Sequence, residues 1–231
     1  LDGLADLRDS LENPRFREVV ASLIEAIEDK QNPSVVGLDP TEALVPKQVV
    51  ASFAEEIAEQ VEDPTEAPAA QLSVAFFEFN RAIIDAVADI VPAVKPQIAM
   101  YEALGPAGID VYSMTCEYAK QQGLYVLGDV KRGDIGETQK YYAQAYFERL
   151  GVDAVTLSPF MGYDTLEPFL EYEGKGVYLL TVTSNPGSSD IERRELSDGR
   201  KVYELVGDMV RRSMQEHRKT SVGMVVGLTN A

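Results

Sequence analysis

The chain has 231 residues, of which 45% are hydrophobic and 26% are charged, a balance typical of a globular protein with a sizeable buried core. Its net charge of −17 and the absence of clustered lysine and arginine argue against a nucleic-acid partner, because a phosphate backbone requires concentrated positive charge. No apolar stretch of the sequence approaches the length of a membrane span, so we expect no membrane association. The single cysteine, Cys116, excludes an internal disulfide and fits a reducing compartment, for which the cytoplasm is the expected location.

The single histidine, His217, lies in the segment QEHRK, which is typical of the polar end of a helix. Histidine metal clusters and Ser-His-Asp or Cys-His catalysis are therefore disfavoured. The sequence also contains neither a G-x-G-x-x-G nor a Walker motif. We predict chemistry that uses carboxylates and lysines.

Predicted helices and strands alternate along the chain. Apolar residues at helical spacing predict helices over residues 14–30, 47–60, 71–90, 108–122, 136–150, 165–174 and 201–217. Short apolar runs predict strands over residues 34–40, 153–160, 177–184 and 221–229, a short strand within residues 93–99, and a further strand that begins at Tyr125. Such alternation is typical of a parallel sheet covered by helices.

Most of the six predicted strands end at a polar or charged residue. These residues are Asp39, Lys95, Asp129 with Lys131, Ser158 and Ser184. The carboxyl ends of all strands meet at one mouth in a β/α barrel, whereas a doubly wound sheet collects ligand contacts mainly at one switch point. The spread over five strands therefore favours an α/β fold of the TIM (β/α)8 type, as a single domain over residues 1–231.

The stretch from residue 125 to residue 138, YVLGDVKRGDIGET, contains the densest group of charges at a strand end. Side chains alternate along a strand, so Asp129 and Lys131 are predicted to share a face, about 6.5 Å apart along the backbone. Arg132 is predicted to point the other way, and Asp134 to lie in the following loop. In chain order, the strand-end residues form a set whose charges alternate between positive and negative: Lys95, Asp129, Lys131 and Asp134. Taken alone, the pattern D-x-K-x-x-D could be a solvated charged loop rather than a functional site.

Four motifs occur in order at successive strand ends: GLDP at 37–40, KPQIAMYE at 95–102, GDVKRGDIGET at 128–138 and TSNPG at 183–187. With these motifs the chain resembles the orotidine 5'-monophosphate decarboxylase family. The resemblance implies a cofactor-independent decarboxylase of pyrimidine nucleotide synthesis that forms uridine 5'-monophosphate. A magnesium-dependent sugar-phosphate decarboxylase on the same barrel, and an inactive or binding-only barrel, are the alternatives.

The resemblance also implies roles for individual residues. Asp129 and Lys131 would flank the scissile carboxylate, and Lys131 would stabilise and then protonate a carbanion-like intermediate. Lys95 and Asp39 would contact the ribose hydroxyls, and Lys95 would complete the charged network. Ser184 would hydrogen-bond the pyrimidine.

A second implication concerns the oligomer. In the family, the residue that matches Asp134 reaches into the active site of the neighbouring subunit, so a homodimer with shared active sites is expected. Ile135 and Thr138 would accompany Asp134 across the interface. We expect the tyrosines of the following helix, Tyr141, Tyr142 and Tyr146, to take part in helix packing rather than to stack on the substrate.

The family barrel has eight strands, and its last two provide the glutamine and arginine that bind the substrate phosphate. The sequence ends at Ala231, after the sixth predicted strand. About six of the eight strands are therefore expected in this chain, curved as an incomplete barrel, with the phosphate contacts outside it.

Overall fold

The computed structural model describes residues 23–228. Residues 23–30 are helical, as predicted for the second half of the first helix, whereas Val19 and Val20 of that prediction lie outside the described residues. The described chain divides into two compact units. The N-terminal unit contains Glu25–Val130 and Leu150–Val152, and the C-terminal unit contains residues 23–24, Lys131–Arg149 and residues 153–228.

The N-terminal unit contains three parallel strands and five helices that follow β1. In chain order these are β1 (Val35–Leu38), α1 (Lys47–Ser52), α2 (Ala54–Gln60), α3 (Ala67–Val87), β2 (Ala93–Pro96), α4 (Ile98–Glu102), α5 (Gly105–Gln121) and the first part of β3 (Tyr125–Arg132). Strand β2 pairs with β1 on one side and with β3 on the other, and Ala93 lies opposite both Val35 and Tyr125. The core contains the fully buried rings of Tyr101 and Tyr112, whose centroids are 5.1 Å apart.

The short strand predicted within residues 93–99 is confirmed as β2, which ends at Pro96. The Gln97 side chain then accepts a hydrogen bond from the Ala99 N–H and caps α4, so Ala99 is helical. The strand end that the sequence predicts is therefore a strand-to-helix junction.

The C-terminal unit begins within β3. In chain order it contains the end of β3, α6 (Gly136–Gln144), a π-helical turn (Ala145–Arg149), β4 (Ala154–Leu157), a 3-10 turn (Tyr163–Thr165), α7 (Glu167–Leu170), β5 (Gly176–Val182), a 3-10 turn (Pro186–Asp190), α8 (Val202–Glu216) and β6 (Ser221–Val226). Strands β4, β5 and β6 are parallel neighbours in this order. All four residues of β4 are buried, as expected for a parallel strand covered on both faces.

The described residues thus contain six parallel strands that alternate with helices, which confirms the predicted α/β architecture. The single domain over residues 1–231 stays a prediction. None of the helices within residues 23–228 combines the length and the hydropathy that a bilayer crossing requires.

Candidate active site

In the N-terminal unit, Asp129 is a buried carboxylate near the carboxyl end of β3, with 7% of its surface exposed. Its Oδ2 accepts hydrogen bonds from Lys95 Nζ at 2.8 Å and from Gln97 Nε2 at 3.0 Å. The parallel register of β2 and β3 places Gln97 opposite Asp129. Burying a carboxylate costs free energy unless it is paired and hydrogen-bonded, and the two donors satisfy that requirement. Lys95, the charged residue of an otherwise apolar strand, thereby acquires its partner.

Asp39 follows β1 in the same unit and is exposed. Its Oδ2 lies over Gly37, where an added Cβ would be only 2.6 Å away, so a side chain at residue 37 would displace the Asp39 carboxylate. The carbonyl of Leu38 accepts hydrogen bonds from the Gln97 N–H at 3.3 Å and from the Tyr101 hydroxyl at 3.5 Å. Burial raises the pKa of Tyr101 above its ordinary value, so this hydroxyl remains protonated. The backbone just before Asp39 is therefore fixed from the core.

In the C-terminal unit, Lys131 is exposed and has a φ of +46°. Among the described non-glycine residues, only Gln31 shares a positive φ. The Lys131 N–H donates to the buried Thr156 Oγ1 at 2.9 Å, and the next carbonyl, of Arg132, accepts from the Ser158 N–H at 2.8 Å. Strained backbone of this kind persists where the surroundings enforce it and is concentrated at functional sites. The alternation that predicted a common face for Asp129 and Lys131 does not apply at this residue, because the backbone is not extended there.

The left-handed backbone at Lys131 leads to a prediction about stability. Lys131→Gly is expected to be more stable than Lys131→Ala by about 1 kcal/mol, because glycine adopts a positive φ without steric cost. Denaturant unfolding of the two variants measures this difference, and both are expected to be inactive. Equal stability, or a more stable alanine variant, would show that the backbone is not strained at this position.

Arg132 has a structural environment within the C-terminal unit. Its guanidinium lies over the rings of Tyr142 and Tyr146, 5.4 and 5.5 Å from their centroids. Helix packing was expected of Tyr141, Tyr142 and Tyr146. Tyr142 and Tyr146 pack against Arg132, whereas Tyr141 is 71% exposed and does not pack within the described chain.

The residues predicted to face a second subunit lie around the start of α6. The Asp134 carboxylate accepts a hydrogen bond from the Ile135 N–H at 2.8 Å, which fixes its orientation relative to the helix. Ile135 is 61% exposed, and Thr138 is exposed one turn further along. Ile135 is therefore an exposed apolar residue that directly follows a carboxylate in the chain.

Ser184 is exposed in the loop that follows β5. The backbone of Gly227, after β6, approaches it so closely that a Cβ at residue 227 would lie 2.7 Å from the Ser184 nitrogen. The preceding residue, Thr183, donates its N–H to Glu192 Oε2 at 2.8 Å. The position of Ser184 is therefore set by a glycine and by a loop carboxylate.

A separate cavity of 660 Å³ lies in the C-terminal unit, between α8 and the strands β5 and β6. Its lining includes Arg193, Lys201 and Met224. The residues that the sequence predicts as catalytic or substrate-binding do not line it. The cavity therefore gives no information about the predicted site.

Three residues that matter for this geometry were missed by sequence reasoning: Gln97, Thr156 and Gly227. Gln97 directly follows Lys95-Pro96, and the helix-capping position of a polar residue after a proline was a usable signal. Thr156 and Gly227 have no local signal, because their contacts are with residues 25 and 43 positions away along the chain.

Parallel strands that alternate with helices and carry lysines and carboxylates at their carboxyl ends are typical of enzymes with an α/β-barrel fold. A sequence model of the Orotidine 5'-phosphate decarboxylase / HUMPS family matches residues 32–231, and the chain belongs to this family.

Individual relatives agree with this assignment. The chain is 39% identical to the orotidine 5'-phosphate decarboxylase of Clostridium novyi (strain NT) over 91% of its own length and 70% of the relative. It is 37% identical to the Clostridium perfringens (strain SM101 / Type A) protein of the same name, over 92% of this chain and 71% of that one. The solved structure of Leishmania donovani OMP decarboxylase superposes with a TM-score of 0.70 at 29% identity, covering 90% of this chain and 70% of that chain. The predicted family and fold class are confirmed.

Proposed function

We propose that this chain decarboxylates orotidine 5'-monophosphate to uridine 5'-monophosphate in pyrimidine nucleotide synthesis, with Lys131 as the group that stabilises and protonates the carbanion-like centre. Family membership and 39% identity to a relative named for this activity support the reaction. The residue assignment depends on one observation. Asp129 is buried against Lys95 at a strand end, and the exposed Lys131 follows it by two residues.

The chemistry explains why a lysine is needed. Loss of carbon dioxide from the pyrimidine leaves an electron pair in the plane of the ring, where the π system cannot delocalise it. An ammonium fixed beside that carbon stabilises the transition state more than the ground state, and only such a difference accelerates the reaction. The same ammonium then donates the proton that replaces the carboxylate. No metal and no cofactor takes part in the proposed reaction.

Chain connectivity supports a joint role for Asp129 and Lys131. Two residues separated by one other along the backbone cannot have Cα atoms more than about 7 Å apart. The orientation of Asp129 is set by Lys95 and Gln97, and the backbone of Lys131 is held by Thr156. Asp129 is proposed to lie beside the substrate carboxylate, with Lys131 at the carbon that loses it.

The remaining assignments concern the substrate. Asp39 and Lys95 are proposed to bind the ribose hydroxyls, and Ser184 to hydrogen-bond the pyrimidine. The exposure of Asp39 and Ser184 is compatible with ligand contact. A cytoplasmic location is part of the same proposal and is supported by the single cysteine, Cys116, which is buried.

Turnover of orotidine 5'-monophosphate by the purified chain, with and without a chelator, tests the reaction. Activity that survives chelation supports the cofactor-independent mechanism. Activity only on a sugar phosphate, lost with the chelator, would instead support the magnesium-dependent alternative, and no turnover of either substrate would favour a binding-only barrel.

A homodimer with shared active sites is the second part of the proposal. It is supported by the exposed apolar side chains of Ile135 and Tyr141 near Asp134 and Thr138. Asp134 and Thr138, with Ile135 between them, would then enter the site of the neighbouring subunit.

Subunit mixing tests the shared site. Lys131→Ala and Asp134→Ala proteins are each expected to be nearly inactive, whereas an equal mixture should recover about a quarter of wild-type activity, because half of the dimers are mixed and each has one intact site. Activity is measured after subunit exchange has been confirmed with distinguishable tags. Complete exchange without any recovery would contradict shared sites.

A further inference from the structure

Gln97 contacts the carboxyl ends of two strands in addition to its own in the N-terminal unit. It directly follows β2, and its backbone N–H donates to the carbonyl of Leu38, the last residue of β1, at 3.3 Å. Its backbone forms a parallel bridge with Asp129 of β3, and its side chain donates to Asp129 Oδ2 at 3.0 Å. Gln97 is thus tied to the residue before Asp39 and to Asp129 itself.

Both ends of the Gln97 amide have a defined partner. The Ala99 N–H can only donate, so the atom that faces it, at 3.3 Å, is Oε1. The amide is planar, and Nε2 must therefore point away from α4, where it meets the Asp129 carboxylate. Among the twenty side chains, this position requires one with an acceptor at one end, a donor at the other and the length of glutamine.

We propose that Gln97 is a positioning residue that orients the Asp129 carboxylate for decarboxylation; this inference depends on the proposed role of Asp129. Lys95 donates to the same oxygen at 2.8 Å, but an ammonium on a flexible four-carbon stem does not define the plane of a carboxylate. The Gln97 amide does define that plane, because its oxygen is held by the Ala99 N–H at the start of α4. Without the donor from Gln97, the Asp129 carboxylate would still be paired with Lys95, but its orientation would be less well defined.

Gln97→Glu tests the inference most directly. Glutamate keeps the length and the acceptor for the Ala99 N–H, but it removes the donor to Asp129 and places a second carboxylate there. We expect kcat to fall about 10- to 100-fold with KM within about twofold, since small misplacements of a catalytic group cost this much. Gln97→Asn adds no charge, retains a capping oxygen and is too short to reach Asp129. It is expected to lower kcat in the same way.

Gln121→Glu is the matched control. Gln121 is an exposed glutamine that also donates to a carboxylate, that of Glu117, at 3.3 Å on the surface of α5. Its replacement is expected to leave kcat and KM unchanged. Thermal unfolding of all variants accompanies the kinetics. The midpoint of Gln97→Asn is expected to stay close to that of the wild type because the cap is retained, whereas Gln97→Glu is expected to unfold at a lower temperature because two carboxylates then face each other.

The double variant Gln97→Glu/Asp129→Asn separates the two proposals. If Gln97 acts through Asp129, the double variant is no slower than Asp129→Asn alone. Wild-type kcat in both Gln97 variants, or additive losses in the double variant, would overturn the positioning role while leaving the proposed function intact. Wild-type kcat in Asp129→Asn would instead overturn the role that the proposed function gives to Asp129. The inference would also be overturned if kcat fell only in a Gln97 variant whose unfolding midpoint is lowered.

Discussion

Lys131→Ala is expected to lower kcat for orotidine 5'-monophosphate by about 10⁴-fold, because it removes both the electrostatic stabilisation of the carbanion and the proton donor. The fold should survive, since Lys131 is exposed and the hydrogen bond to Thr156 comes from its backbone N–H, which alanine retains. Steady-state kinetics, with circular dichroism to verify folding, provide the measurement.

Lys219→Ala is the control for removal of a lysine charge. Lys219 is an exposed lysine of the same unit that pairs with Glu173, and its replacement is expected to leave kcat unchanged. If folded Lys131→Ala protein retained more than about a tenth of wild-type kcat, Lys131 could be neither the stabilising cation nor the proton donor.

Asp129→Asn is expected to lower kcat by about 10³-fold, since one charged group placed beside the reacting centre is lost. The variant should also be less stable than the wild type, because Lys95, whose side chain is 31% exposed, loses its charged partner. Kinetics and thermal unfolding of the same preparation measure the two effects.

Asp153→Asn is the matched control for Asp129→Asn. Asp153 lies before β4, at the amino end of a strand, and its carboxylate is 4.0 Å from Lys175 Nζ. Its replacement also weakens a half-exposed lysine pair, but kcat is expected to remain at the wild-type value. If both variants lost stability and neither lost kcat, the pair of Lys95 and Asp129 would be structural only.

The sequence predicted the architecture well because its strands are short, apolar and bounded by polar residues. This pattern predicted all six strands within residues 23–228, although the carboxyl ends of β1, β4, β5 and β6 were placed two or three residues too far along the chain. The predicted helix over residues 47–60 is two helices, α1 and α2, which meet at Phe53. The exact ends were not predictable, since an apolar residue fits a strand, a loop and a helix equally well.

Lys95 shows how far the sequence could specify the site. A lysine in an apolar strand must be paired, and its pairing was predictable from desolvation alone. Which oxygen it meets, and that Gln97 shares the same oxygen, depends on the register of β2 against β3. Register is a property of the folded sheet, so these contacts appear only in three dimensions.

The sequence by itself determined the family, the order of the strands and the residue types that the chemistry needs, because these follow from local composition and from ordered motifs. Only the tertiary structure decided how those residues are held. The left-handed backbone of Lys131 is held by a hydrogen bond to Thr156, and Gly227 closely approaches Ser184. Both contacts join segments that are far apart in the chain. Such contacts arise from packing between segments, and no local pattern of residues encodes them.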